Sequence, residues 1–337
     1  MKFSIIIVTY NRPKELLSCL ESIRAQRIEI PYEVLVIFNG DRSYLEKFSR
    51  VFSKFKMQFI HKTTPSNARN HGLLKAQGEY IFFLDDDCTL PADYFSHIDF
   101  NTNWDVLGGP DQTPKKSTPF QVITGRALSS SLCMGPTKKR HTSGKYYSKN
   151  ADERMLILCN LWFKASLFKN EGFKFNADLF RNEENFLLKE LKQANKIIHY
   201  SPKLIVYHQR KNDLEKLGLS IIKSGECRVQ NFSLIPNSRE LLYFLPLFWL
   251  IGFFYALFNP ESLIVYFYAA YSVLVAFQYL FLYKSSHFLY IFLYIFLHYF
   301  TLTTYSIGLI KGLWKFSPQI YAKSRANKSF ISESKSK

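Results

Sequence analysis

Cysteine is scarce in this chain and poorly placed for chemistry. Cys19, Cys88, Cys133, Cys159 and Cys227 are the only five in 337 residues, and no two stand at a Cys-x-x-Cys or other metal-site spacing. An odd, scattered set does not build a disulfide framework and fits reduced thiols in a reducing compartment. Acid is also short: 27 Asp and Glu face 44 Lys and Arg, a formal charge of +17. Such an excess calls for an anionic partner, whether nucleic acid, phospholipid or nucleotide. No nucleic-acid-binding motif accompanies it, so nucleic acid is not the expected partner. No secretory leader is expected at the N-terminus either. The apolar run at residues 3–8 is too short for a signal core and cleavage site, and the N-terminal part is expected in the cytoplasm. Between residues 241 and 310 charge itself runs out, with only Glu261 and Lys284 present. That stretch cannot be the surface of a soluble domain.

What is present falls into a regular order. Residues 3–8, 34–38, 57–60 and 80–84 are short apolar runs rich in β-branched and aromatic side chains, read as buried strands. Helical patterns lie between them, around Leu16, Leu17, Leu20 and Ile23, around Leu45, Phe48 and Phe52, and over 67–76. Asn11 is placed as a helix cap, with Pro13 in the first turn behind it. Strands and helices alternating in this way predict an α/β domain with a mostly parallel sheet, helices on both faces, and ligands at the carboxyl ends of the strands. Residues 9–12, 38–41 and 85–87 all fall at such ends and are expected to converge. Residues 115–150 read as a long, partly basic loop with Lys138-Lys139-Arg140-His141 in its middle. A helix is expected around 182–194 and a strand over 204–207, ending at His208.

Asp85-Asp86-Asp87 closes the fourth strand. Like charges this close repel and raise one another's pKa values, and a divalent cation resolves the conflict. Carboxylate oxygens suit Mg²⁺ or Mn²⁺, which complete their shells with phosphate oxygens and water. Side chains alternate along a strand, so Asp85 and Asp87 are expected on one face and Asp86 on the other.

The chain here resembles the family 2 glycosyltransferases of the GT-A fold. The resemblance rests on Ile5-Ile6-Ile7-Val8-Thr9-Tyr10-Asn11-Arg12, Asn67-Ala68-Arg69-Asn70-His71-Gly72, Ala76-Gln77-Gly78-Glu79-Tyr80 through Asp87, Gly108-Gly109-Pro110, Asn182-Glu183-Glu184 and Tyr207-His208-Gln209-Arg210. It covers roughly the first 230 residues and implies inverting transfer of a sugar from a nucleotide-sugar. By resemblance, Thr9, Tyr10 and Arg12 hold the nucleotide, Arg69 lies near its base and diphosphate, and Asp85 and Asp87 bind the metal. Asp86, Asn39 and Asp41 complete the nucleotide-sugar side. Glu184 is implied as the catalytic base and Glu183 as an acceptor-binding residue. His208 is implied at the metal or diphosphate, with Arg210 as a second phosphate-binding group. Three positions depart from the family pattern. Phe38 stands where an aspartate usually recognises the base, Asn182 replaces a glycine, and Glu184 replaces the commoner aspartate.

Residues 241–258, 263–283 and 288–310 each approach the ~20 apolar residues that cross a bilayer. From Lys311 onward seven Lys and Arg stand against one acid, Glu333, which predicts a cytoplasmic tail. Three spans would leave that tail on the far side, so 241–258, with Pro246 and Gly252, is read as interfacial or re-entrant and two or three spans are allowed. His298, Tyr305-Ser306-Ile307-Gly308 and Lys311-Gly312 are similar to the end of membrane-attached family members that build bacterial exopolysaccharide on lipid carriers. The expected organisation is a catalytic domain over 1–212, an amphipathic linker over 213–240, membrane helices over 241–312 and a disordered basic tail over 313–337. The implied partners are a nucleotide-sugar donor, a lipid-linked or membrane glycan acceptor, and membrane lipids touched by residues 120–134 and 138–140. The chain is expected at a membrane, the bacterial inner membrane by resemblance. A nucleotidyltransferase and a catalytically silent membrane scaffold are the alternatives.

Overall fold

The computed structural model describes residues 1–236, 238–283 and 287–333. It divides into two units, residues 1–210 and 211–337. Lys284 and the last four residues of the expected tail lie outside the described residues.

The first unit runs β1 (Phe3–Thr9), α1 (Pro13–Arg24), β2 (Tyr32–Asn39), α2 (Leu45–Val51), β3 (Lys56–Ile60), α3 (Pro65–Lys75), β4 (Tyr80–Phe83), β5 (Cys88–Thr89), β6 (Val106–Gly108), β7 (Asp111–Gln112), α4 (Pro119–Leu128), α5 (Ser131–Met134), β8 (Leu161–Lys164), α6 (Ser166–Lys169), α7 (Glu183–Gln193), β9 (Ile198–Tyr200) and β10 (Val206–His208). Seven strands form one sheet in the order β3-β2-β1-β4-β8-β6-β9. β1 to β4 are mutually parallel, as their apolar runs predict for strands buried on both faces. β8 is the exception, running antiparallel between β4 and β6. It brings Trp162 flat against Phe82, 4.5 Å between ring centroids, in the core of the face that α1 covers. α3 and α7 cover the other face through Leu73, Leu187, Leu188 and Leu191.

A second, three-stranded sheet, β5-β10-β7, lies directly beyond the aspartates and sets His208 opposite Cys88. Gly109 makes its approach possible: a Cβ there would stand 1.9 Å from the Leu204 carbonyl oxygen. Asn160 fastens the same crossing by donating to the carbonyls of Pro110 (3.1 Å) and Leu204 (2.6 Å).

Two sequence expectations are corrected. Residues 115–150 are not a structureless loop. Thr118 and Gln121 form a capping box that starts α4, and α5 and a 3₁₀ turn at Gly135–Arg140 follow. Asn11 is not a helix cap: Arg12 occupies that position, and Asn11 takes a left-handed conformation (φ 49°), which asparagine tolerates.

The second unit contains α8 (Leu214–Leu234), α9 (Leu245–Phe258), α10 (Leu263–Tyr283) and α11 (Phe288–Glu333). Three segments are long and apolar enough to cross a bilayer, Glu240–Phe258, Leu263–Tyr283 and Phe288–Pro318. The first includes part of a 3₁₀ turn (Ser238–Phe244), and Pro246 sits in the first turn of α9, where its missing N–H costs nothing. α8 lies backbone to backbone on α11. A Cβ on Gly225 would stand 2.4 Å from the Tyr305 carbonyl oxygen, and one on Gly308 2.1 Å from that of Ile222. Only glycine permits so close a crossing.

Candidate active site

The three aspartates leave β4 in three directions, and each meets a different partner. Asp86 turns inward and is buried, accepting from Thr9 Oγ1 at 2.7 Å and Arg12 Nη1 at 3.0 Å. Burial pushes its carboxyl up to about 7, against the pull of Arg12. Asp86, expected on the nucleotide-sugar side, therefore ties the 9–12 loop to the end of β4. Asp87 receives the same Arg12 nitrogen at 2.9 Å and holds His208 Nε2 at 3.3 Å from its other oxygen. Asp85, the most exposed of the three at 34% of its side chain, meets Arg69 Nη2 at 3.3 Å.

Arg69 connects the two acidic clusters. From α3 its guanidinium reaches Asp85 with one nitrogen and Glu183 with the other. Glu183 opens α7, where acids are favoured by the unsatisfied N–H groups and the helix dipole. Asn182 before it takes a left-handed conformation (φ 60°), so asparagine here meets the same backbone demand as the glycine of the family pattern. Burial pushes Glu183 up to about 7; Arg69 opposes this and neighbouring Glu184 adds to it. Glu184 follows Glu183 in the first turn of α7 and is 7% exposed.

Behind His208 stands a residue that sequence reading missed. Asp111, on β7, is completely buried and carries four polar contacts on its two oxygens. His208 Nδ1 lies at 2.6 Å, His141 Nδ1 at 2.5 Å, and Arg210 binds bidentately at 2.8 and 2.9 Å. Burial alone would raise the Asp111 carboxyl, but Arg210 and His141 hold it well below the usual carboxylate range. The one available signal was indirect: two cationic residues at a buried strand end, His208 and Arg210, require a buried acid.

Arg210 is therefore not where it was expected. It is 7% exposed, and its guanidinium is spent on Asp111 and, through Nε, on Thr113 Oγ1 at 3.3 Å. Asn39 is likewise turned to structure, bonding both backbone groups of Thr63 at 2.9 and 3.1 Å. Asp41 accepts from the backbone and hydroxyl of Ser43, which lower its pKa. Tyr10 is exposed, with Lys62 Nζ 4.5 Å from its ring centroid and 3.2 Å from its hydroxyl. Phe38, in place of an aspartate, is buried against Phe48.

The donor set suits a divalent cation. Burial alone would lower the His208 imidazole, but the carboxylates of Asp87 and Asp111 outweigh it and hold it well above its ordinary value. The pocket therefore attracts positive charge. Asp111 on Nδ1 also leaves Nε2 as the nitrogen facing Asp87, the carboxylate–histidine arrangement that orients metal ligands. Behind the imidazole, Cys88 Sγ, Cys159 Sγ and a His208 ring nitrogen lie within 4.8 Å of one another, and both thiols are buried.

With this geometry the likenesses to known proteins take on meaning. The sequence model described as "Glycosyl transferase family 2" matches residues 4–172, about half of the chain. The chain belongs to that family. The matched span carries Thr9, Arg12, Arg69, the three aspartates and Asp111. A Campylobacter jejuni relative named GalNAc(5)-diNAcBac-PP-undecaprenol beta-1,3-glucosyltransferase is 25% identical over 231 residues, 65% of this chain and 68% of that protein. Glycosyltransferase GlyA of Streptococcus pneumoniae is 24% identical over 64% of this chain. An uncharacterized glycosyltransferase of Rickettsia bellii is 38% identical over 26% of it. The family 2 chain spans 32% of the pneumococcal protein and 13% of the rickettsial one. Among solved structures, the mannosyltransferase PcManGT from Pyrobaculum calidifontis, in complex with GDP-Man and Mn²⁺, superposes with a TM-score of 0.61 at 15% identity, covering 93% of this chain and 87% of that one. The fold is that of the GT-A enzymes.

Proposed function

We propose that this family 2 chain transfers a sugar, with inversion, from a nucleotide-sugar to a lipid-linked glycan acceptor at a membrane, in bacterial cell-surface polysaccharide or glycolipid assembly. The observation that carries the reading is the Arg69 guanidinium, which touches Asp85 and Glu183 at once and so joins the donor-side acids to the start of α7. The three apolar helices favour a membrane acceptor, as does the name of the Campylobacter relative, which specifies an undecaprenol-linked substrate.

In this reading Thr9, Tyr10 and Arg12 form the nucleotide loop, with exposed Tyr10 offering a ring face to the base. Asp85, Asp87 and His208 would hold Mg²⁺ or Mn²⁺, which supplies charge neutralisation for a departing diphosphate. Glu184 takes the proton of the acceptor hydroxyl while that oxygen forms its bond to the anomeric carbon from the face opposite the leaving group. The bond from the anomeric carbon to the diphosphate oxygen breaks, and nucleoside diphosphate leaves with the electron pair. Glu183 and Arg69 fix the acceptor side, and Asp111 and Arg210 fix the His208 ring. The catalytic unit would work on the cytoplasmic side.

Purified full-length protein, assayed against a panel of UDP- and GDP-sugars with Mn²⁺, is expected to release nucleoside diphosphate, and Asp87→Ala to abolish the release. Release of pyrophosphate would instead indicate a nucleotidyltransferase. Absence of both binding and turnover across the panel would leave a silent scaffold.

A further inference from the structure

Lys138-Lys139-Arg140, the basic run that His141 follows, was expected to rest on a bilayer. Arg140 and His141 point the other way. Arg140 is 8% exposed and the His141 side chain 9%. The 3₁₀ turn that carries them is pinned along its backbone. His141 N–H closes on the Lys138 carbonyl at 2.9 Å, and Ser129 Oγ donates to the His141 carbonyl at 2.8 Å. Tyr200 Oη lies within hydrogen-bond distance of the carbonyls of Lys139 (3.2 Å) and Thr142 (3.1 Å).

From this fixed turn the two side chains reach opposite ends of the site. His141 Nδ1 meets Asp111 Oδ1 at 2.5 Å, and the other oxygen of Asp111 holds His208 Nδ1 at 2.6 Å. Arg140 Nη2 donates to Asn185 Oδ1 in the first turn of α7, one residue beyond Glu184, and to the Glu153 carbonyl. Asn185 is fully buried. A rigid dipeptide is thus bonded on one side to the carboxylate that orients His208, and on the other to the helix start that presents Glu184.

We propose that Arg140-His141 is a positioning strap that sets the spacing between the His208–Asp87 side of the site and Glu184, His141 acting through Asp111 and Arg140 through Asn185. This rests on the glycosyltransferase reading and gives Arg140 and His141 a role at the site in place of the membrane contact expected of the basic run. A buried guanidinium pays a desolvation cost, which Arg140 Nη2 offsets in part through Asn185 Oδ1 and the Glu153 carbonyl. In a reaction that depends on bringing two groups together, a displacement of about 1 Å costs on the order of 100-fold in rate.

The strap has separable hands, which makes it testable on the full-length protein. His141→Phe keeps a ring of similar size and loses the bond to Asp111; Arg140→Met keeps the stem and loses the guanidinium. Mn²⁺ binding, with the ion alone as probe and free Mn²⁺ read by electron paramagnetic resonance, reports the His208 side. Nucleoside diphosphate release reports turnover. His141→Phe is expected to weaken Mn²⁺ binding about 10-fold, as loss of support for a metal-bound histidine does. Arg140→Met is expected to leave the Mn²⁺ dissociation constant and the KM for nucleotide-sugar within about twofold and lower kcat about 10- to 100-fold. Arg140→Lys and His141→Gln, which retain a donor, should recover part of each loss and guard against misfolding. Parallel losses of Mn²⁺ binding, kcat and thermal stability in both variants overturn the strap in favour of a general folding role, and so do variants indistinguishable from wild type. A wild type that neither binds Mn²⁺ nor releases nucleoside diphosphate overturns the underlying enzymatic reading, and the strap with it.

Discussion

Asp111→Ala isolates the electrostatic centre of the first unit. The wild-type carboxylate is completely buried and serves two histidines and an arginine. Removing it leaves the guanidinium of Arg210, itself 7% exposed, without its counter-ion. Breaking a buried pair by deleting one partner costs about 3–5 kcal/mol. For a unit of 210 residues, each kcal/mol moves the midpoint by about 2–4 °C, so the expected fall in Tm is about 6–20 °C. All five cysteines are buried, and Cys19, Cys88, Cys133 and Cys159 belong to this unit, so a thiol-reactive dye reports its unfolding in the full-length protein. The pH dependence has a definite sign. The folded carboxyl is depressed, so its stabilisation is present above the unfolded value of about 3.9 and is lost as pH falls through the folded one. The gap between wild type and variant should therefore close on the acid side. A Tm within about 2 °C of wild type at pH 7, against the several degrees that one such pair commands, would refute the hub.

Three further outcomes follow from the same geometry. Glu184→Gln should lower nucleoside diphosphate release about 10²- to 10⁴-fold, the usual weight of a general base, while Mn²⁺ binding stays unchanged. Gly109→Ala sets a methyl 1.9 Å from the Leu204 carbonyl oxygen, to which Asn160 Nδ2 donates at 2.6 Å, and a loss of about 1–3 kcal/mol in the dye assay is expected. Gly308→Val should part α11 from α8, seen as faster labelling of Cys227, which is 2% exposed on α8.

The parallel half of the sheet was legible because β1, β2 and β4 are buried on both faces and leave continuous apolar runs that few other structures require. The aspartate cluster was legible for the opposite reason: three adjacent acids at the end of such a run need compensation. β8 left no comparable signal. Leu161-Trp162-Phe163-Lys164 is four residues long, and its partners lie on β4 and β6, far away in sequence. The strands β5 and β7 are two residues each, too short for any period to show, whereas the apolar run at 204–207 did announce β10. Asp111, Arg140 and His141 were invisible singly. A basic run looks the same in sequence whether it faces solvent or is drawn inward, and only the burial of their mutual partners distinguishes the two.

The reversed strand in the middle of the sheet also has a consequence for how the chain is made. β4 pairs with β8 through Tyr80↔Lys164 and Phe83↔Leu161, about 80 residues further along. At about 5–20 residues per second of synthesis, β4 waits roughly 4–16 s for that neighbour. During this interval its row of unpaired amides and carbonyls, flanked by phenylalanines, is open to strands from other nascent chains. Slowing elongation across residues 84–160 should therefore increase aggregation of the newborn protein, whereas a pause after β8 has emerged should leave it soluble.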